Sequence, residues 1–125
     1  MLLSLLYPNL KYSQKGFHQD HMHPFTGFEE SKIANLKLPD GSVIDDVRKD
    51  EWRRRRNTLA NLQLLEGREN ERKNATPLVD WIEVTANSEN AKYMPSDSSF
   101  ELSHFEDFMD KRQKLMSDAL KAILL

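Results

Sequence analysis

Cysteine is absent from the 125 residues of this chain. That excludes disulfide scaffolds, thiol catalysis and zinc sites built on thiolates. It suits a reducing compartment, and a cytoplasmic location is expected. No apolar run approaches the roughly 20 residues that a membrane span needs, so no membrane partner is expected. Glycine is scarce: the four glycines fall in no phosphate-cradling pattern, and a Walker-type nucleotide loop is excluded. A dominant charge is missing too, since 18 Lys and Arg against 20 Asp and Glu leave a net −2. Such a balance is not that of a protein that holds nucleic acid by overall charge. The opening MLLSLLYP is apolar but has neither a basic leader nor a small-residue cleavage site, so it does not read as a signal peptide. It looks like the inside of a longer protein, and the chain is expected to be the C-terminal piece of a larger architecture.

The length predicts a single domain over 1–125 that buries about two thirds of its unfolded surface. Phe17 and its polar neighbours up to Pro24 read as an edge or hairpin strand entering a turn. A helix is expected over 26–36, with Thr26 as its N-cap and Phe28, Ile33 and Leu36 as its apolar stripe. Pro39-Asp40-Gly41 is a turn signal, followed by a helix over 43–57 with Val43, Ile44, Val47 and Trp52 facing inward. Leu59 to Leu65 is apolar and short, and periodicity leaves it open between helix and strand. A charged helix from Glu69, a short one carrying Leu78, Trp81 and Ile82, and a loop over 86–99 come next. In the last helix Ser103 and Glu106 form a capping-box pair. Phe105, Phe108, Met109, Leu115, Met116, Ala119, Leu120 and Ile123 then follow at helical spacing.

Two stretches concentrate polar residues that could carry chemistry: His18-Gln19-Asp20-His21-Met22-His23-Pro24, and Asn61-Leu62-Gln63-Leu64-Leu65 running into Glu66 to Lys73. Either alone is weak, because an Asp-His pair arises by chance and three histidines in six positions can be a solvated loop. As a set they carry more: Asp-His with Pro24 downstream, then Asn-Leu-x-Leu-Leu, then Asn-x-x-Lys with Asn70 nine residues after Asn61. This set resembles the HNH, or ββα-metal, nuclease motif. More narrowly, FHQDHMHP, NLQLLEGRENERKN and the closing FELSHFEDFMDKRQKLMSDAL are similar to the C-terminal nuclease region of GmrSD-type modification-dependent restriction enzymes.

The resemblance implies a mainly helical α+β fold, with a hairpin-and-helix motif surrounded by helices. It also implies a metal-dependent DNA endonuclease module for restriction or phage defence. His21 matches the general base, Asp20 and Asn70 the metal ligands, and Asn61 the residue that holds hairpin and base in place by hydrogen bonds. Hydrolysing a phosphodiester needs an activated water, and a neutral imidazole suits that task near neutral pH. Charge neutralisation on the phosphoryl group and help for the departing oxygen suit a hard cation on oxygen donors, so Mg²⁺ or Mn²⁺ is expected and structural zinc is not. Lys73, three residues after Asn70 on a helix, would meet a phosphate, with Arg72 beside it. Adjacent strand residues point to opposite faces, so Asp20 and His21 can both serve one site only from irregular backbone. His18 would share the face of Asp20 and is a further outer candidate. His23 is expected in a loop and His104 on a helix surface.

Trp52 precedes four consecutive arginines, and from Arg48 to Lys73 nine basic residues face five acidic ones. Such an excess can present phosphates with a basic patch, and Arg53 and Arg56 are its candidates. The bland alternative is that four arginines circle a helix and only some meet a partner. Trp52 and Trp81 are expected as core anchors. GmrSD-type proteins also carry a large N-terminal domain that senses modified DNA, and nothing in this chain supplies it; such a domain or a separate subunit is the expected partner besides DNA. The second function class is therefore a non-catalytic remnant or interaction module that keeps the fold.

Overall fold

The computed structural model describes residues 5–7, 17–66, 73, 75–85 and 92–124. The protein is α+β and mainly helical, and the described residues form one small two-stranded sheet. Strand β1 (Phe17–His21) pairs antiparallel with β2 (Leu62–Glu66), and the register runs unbroken from Phe17↔Glu66 to His21↔Leu62. Four helices complete the described chain: α1 (Glu30–Ile33), α2 (Asp46–Arg55), α3 (Leu78–Thr85) and α4 (Phe105–Leu124). The charged helix expected from Glu69, with Asn70 and Arg72, lies outside the described residues.

The expected helix over 26–36 is a 3-10 turn at Phe25–Phe28 followed by the single-turn α1. Thr26 caps nothing, and its hydroxyl is buried without a partner. Asp40 makes the next turn by accepting from the Ser42 amide at 2.9 Å and the Ser42 hydroxyl at 2.6 Å. Gly41 takes φ +86° there, a conformation that favours glycine.

Asp45 caps α2 by accepting from the Arg48 amide at 2.8 Å, so the helix starts three residues later than expected. That start changes which face is inside: Ile44 and Trp52 are buried, whereas Val43 and Val47 are exposed, Val47 by 79%. Lys49 takes an inward place and reaches Glu30 at 2.8 Å. At the other end Thr58 Oγ1 donates to the Arg55 carbonyl at 2.7 Å, and the chain turns through a 3-10 segment at Leu59–Asn61 into β2. The ambiguous stretch is thus a turn and a strand.

α4 buries Phe105, Phe108, Met109, Arg112 and Met116, while Leu115 and Ile123 are exposed. The capping box does not form. Glu106 accepts instead from Arg48 and from Trp52 Nε1 at 3.2 Å, and a 3-10 turn at Leu102–His104 leads into the helix, with His104 half-buried.

Two apolar clusters result. Trp52 and Trp81 sit in the larger one, with Met22, Phe28, Ile33, Phe105 and Phe108. The smaller joins Leu62 and Leu64 of β2 to Leu6, Tyr7 and Met116. Alternation along the strand leaves Gln63 for the opposite face, against Asp20. Among the described residues no helix is long and apolar enough to cross a membrane.

Candidate functional site

The site is built where β1 ends. Asn61 is fully buried, and its side chain makes three hydrogen bonds: it accepts from the His23 amide at 2.9 Å and donates to the carbonyls of His23 at 3.1 Å and Arg56 at 2.9 Å. Its own carbonyl accepts from the Met22 amide at 2.7 Å. This clasp ties the segment after β1 to the end of α2 and fixes the backbone that follows His21. Removing it would leave several buried main-chain groups without partners.

His21 is half-buried on the far side of that clasp. Its Nε2 lies 2.9 Å from Asn57 Oδ1, and its ring meets Phe25 edge-on at 5.6 Å. With the Asn57 oxygen as acceptor, Nε2 carries the proton and Nδ1 is the nitrogen able to accept one. Arg56 stacks on the other partner: its guanidinium carbon is 3.5 Å from the Phe25 ring centre, and Nη1 donates to the Phe25 carbonyl at 3.3 Å.

Asp20 faces away from His21. The ladder stays regular through His21↔Leu62, so the irregular backbone that would bring the two together is not found between them. Asp20 Oδ2 accepts from Gln63 Nε2 at 2.9 Å and pairs with Lys73 Nζ at 3.2 Å. Lys73, fully buried, also donates to the His21 carbonyl at 2.7 Å. Burial lowers its pKa, and the Asp20 carboxylate works against that fall. The expected phosphate contact through Lys73 does not fit this placement, because the ammonium is buried and already engaged by Asp20 and the His21 carbonyl.

The arginine run is also largely committed. Arg48 pairs with Glu106, Arg53 with Glu30 and Asp50, Arg54 with Glu51, and Arg55 with Asp110. Arg53 further donates to the Phe28 carbonyl at 3.1 Å. The excess of positive charge along the chain is therefore spread through intramolecular pairs, with Arg56 alone of the four consecutive arginines lacking a carboxylate among the described residues.

His23 is not a solvated loop residue. It is 2% exposed, wedged against Phe105 and Phe108 at ring-centre distances of 5.4 and 4.9 Å. Burial, helped by the nearby Lys73 charge, pushes its pKa down to about 3. His18 stands opposite Leu65 in β1, and its side chain lies outside the described residues.

The divalent cation implied by the resemblance would draw donors from Asp20 and Asn70. Asp20 Oδ2 is engaged, and the described residues contain no group of three His, Asp or Glu placed to hold a metal ion. Those residues do not by themselves make a cation site. Asn57, Gln63 and Phe25 went unread in the sequence. Gln63 had a signal, since it alternates with Leu62 and Leu64 in the short apolar stretch, whereas Asn57 and Phe25 belong to no pattern. Neither a protein-family model nor a curated protein matches the chain.

Proposed function

We propose that the chain is a DNA endonuclease module of the HNH type, in which His21 takes the proton of the water that attacks a phosphodiester. The observation that carries this reading is the Asn61 clasp. A nuclease of that type needs a hairpin whose base-bearing end is held rigid by the middle motif residue, and Asn61 makes that set of bonds next to His21. The His21–Asn57 contact supports it further, because a hydrogen bond on one nitrogen orients the ring and leaves the other available. Arg56, stacked on the Phe25 ring that His21 meets edge-on, would meet the phosphate. Any Mg²⁺ or Mn²⁺ requirement rests on Asp20 together with Asn70.

The test is nicking of supercoiled plasmid by the purified chain with Mg²⁺ or Mn²⁺, beside His21→Ala prepared identically. The expected result is a loss of at least about 100-fold in the variant, the usual scale for a general base. Equal nicking by both proteins would remove His21 from its role.

A non-catalytic DNA- or protein-binding module is the second reading. The Asp20–Lys73 pair favours it, because the carboxylate expected on a metal already has a buried counter-ion. A folded chain that nicks nothing would leave this reading standing.

A further inference from the structure

We infer that the surface formed by Phe25, Arg56, His21 and Asn57 receives an unpaired nucleotide, its base against Phe25 and its phosphate toward Arg56. This inference rests on the nuclease reading and names the substrate form. Phe25 is exposed, 47% accessible, whereas most other large aromatics among the described residues are buried. It stands between the two groups that a nucleotide would address. The Arg56 guanidinium lies 3.5 Å from its centre, and the His21 ring lies edge-on at 5.6 Å.

Charge decides which DNA such a surface suits. Duplex binding depends on several free cations that displace counterions from the phosphates. Here Arg53, Arg54 and Arg55 are each held by carboxylates, and Arg56 is the one cation of the run without such a partner among the described residues. Within that run a single guanidinium is left for phosphates, too little charge there to grip a duplex. Stacking on an aromatic face can supply what charge does not, and only an unpaired base offers its face. Phe25 therefore acts as a positioning residue that brings the nucleotide to His21.

The experiment compares three short fluorescein-labelled DNAs: single-stranded, fully paired, and paired with one bulged nucleotide. Binding is read by fluorescence anisotropy and cleavage on the same DNAs by gel. The wild-type chain is expected to bind the single-stranded and bulged DNAs about tenfold more tightly than the duplex. That preference should survive raised salt, because stacking is not screened as phosphate contacts are. Phe25→Leu should bring the unpaired DNAs down to the duplex value, and Phe25→Trp should restore the preference. Equal binding of all three DNAs by wild type, or a preference untouched in Phe25→Leu, would overturn the inference. Because binding is read apart from cleavage, a Phe25-dependent preference without any cleavage would uphold the nucleotide surface while the nuclease reading fails.

Discussion

Two fully buried cations hold the two sides of the β-ribbon, and they are compensated in different ways. Lys73, on the side of the candidate site, has a carboxylate partner in Asp20 and a carbonyl partner in His21. Arg112, which α4 sends behind the ribbon, has no carboxylate among the described residues. It donates to the carbonyls of Ala60 and Leu62, each at 2.8 Å, and to the Tyr7 hydroxyl at 2.9 Å. Burial lowers the pKa of both cations. A carboxylate carries a charge that can be exchanged between cations or titrated, whereas main-chain carbonyls are neutral and do not titrate. The side that can change its partners is the side of the candidate site; the other side is scaffold.

Breaking the scaffold side should have the largest effect. Arg112→Leu leaves the Ala60 and Leu62 carbonyls buried and unpaired at the turn that carries Asn61. Each such group costs about 1–3 kcal/mol, so a loss of about 3 kcal/mol or more is expected in urea unfolding. Arg112→Lys should recover less than half of it, because an ammonium cannot reproduce the guanidinium fork that reaches two carbonyls and the phenol together. Full recovery by lysine would show that charge alone, not the fork, is what this position needs.

The exchangeable side should give a smaller effect and a ligand-dependent one. Lys73→Met leaves Asp20 buried with Gln63 as its one side-chain donor among the described residues, and a destabilisation of about 2 kcal/mol is expected, below the range for a fully buried pair because Asp20 keeps 9% exposure. Asp20→Asn in the same chain should return part of that loss, since it removes the orphaned charge. If Asp20 belongs to a cation site, Mg²⁺ or Mn²⁺ should raise the melting temperature of Lys73→Met more than that of wild type, and Asp20→Asn should abolish the difference. An identical metal response in all three proteins would separate Asp20 from any cation.

How far these two sides could be read in advance follows from what each depends on. The strand at Phe17, the Asp40-Gly41 turn, the helices carrying Trp81 and Phe108, and both tryptophan anchors were legible from local pattern. Periodicity leaves Leu59 to Leu65 open, and only the resemblance implies a hairpin there. Only the resemblance singles out Asn61, and the structure shows it buried with three side-chain hydrogen bonds. Arg112 was not read, although the signal existed: it interrupts the apolar stripe four residues after Phe108 and four before Met116. The inward face of α2 was misread because an aspartate cap, not the first valine, sets where that helix starts. The capping box failed because Arg48 and Trp52, far away in sequence, compete for Glu106. Likewise, an acid for each of Arg53, Arg54 and Arg55 turned a basic run into paired side chains, and two of those three arginines pair with acids outside their own helix.

His23 sharpens the comparison, because it is a third buried basic group and meets burial by staying neutral. Its pKa falls from 6.5 to about 3 on folding. Below pH 6.5 the unfolded chain therefore takes up a proton that the native state refuses, and stability falls as pH falls, at up to about 1.4 kcal/mol per pH unit. About 2 kcal/mol should be lost by pH 5, and the loss should continue until pH nears 3. Carboxylates act in a lower window. Glu106, held below its ordinary 4.5 chiefly by the Arg48 hydrogen bond, contributes stability that is lost only as pH falls through its lowered value. The interval from pH 6.5 to pH 5 thus lies above the carboxylate window. His23→Leu keeps the main-chain groups that Asn61 grips and removes the titrating ring. Urea midpoints measured at pH 7 and pH 5 should differ markedly in wild type and much less in this variant. An unchanged pH dependence in His23→Leu would mean that the buried imidazole is not what makes the fold acid-sensitive.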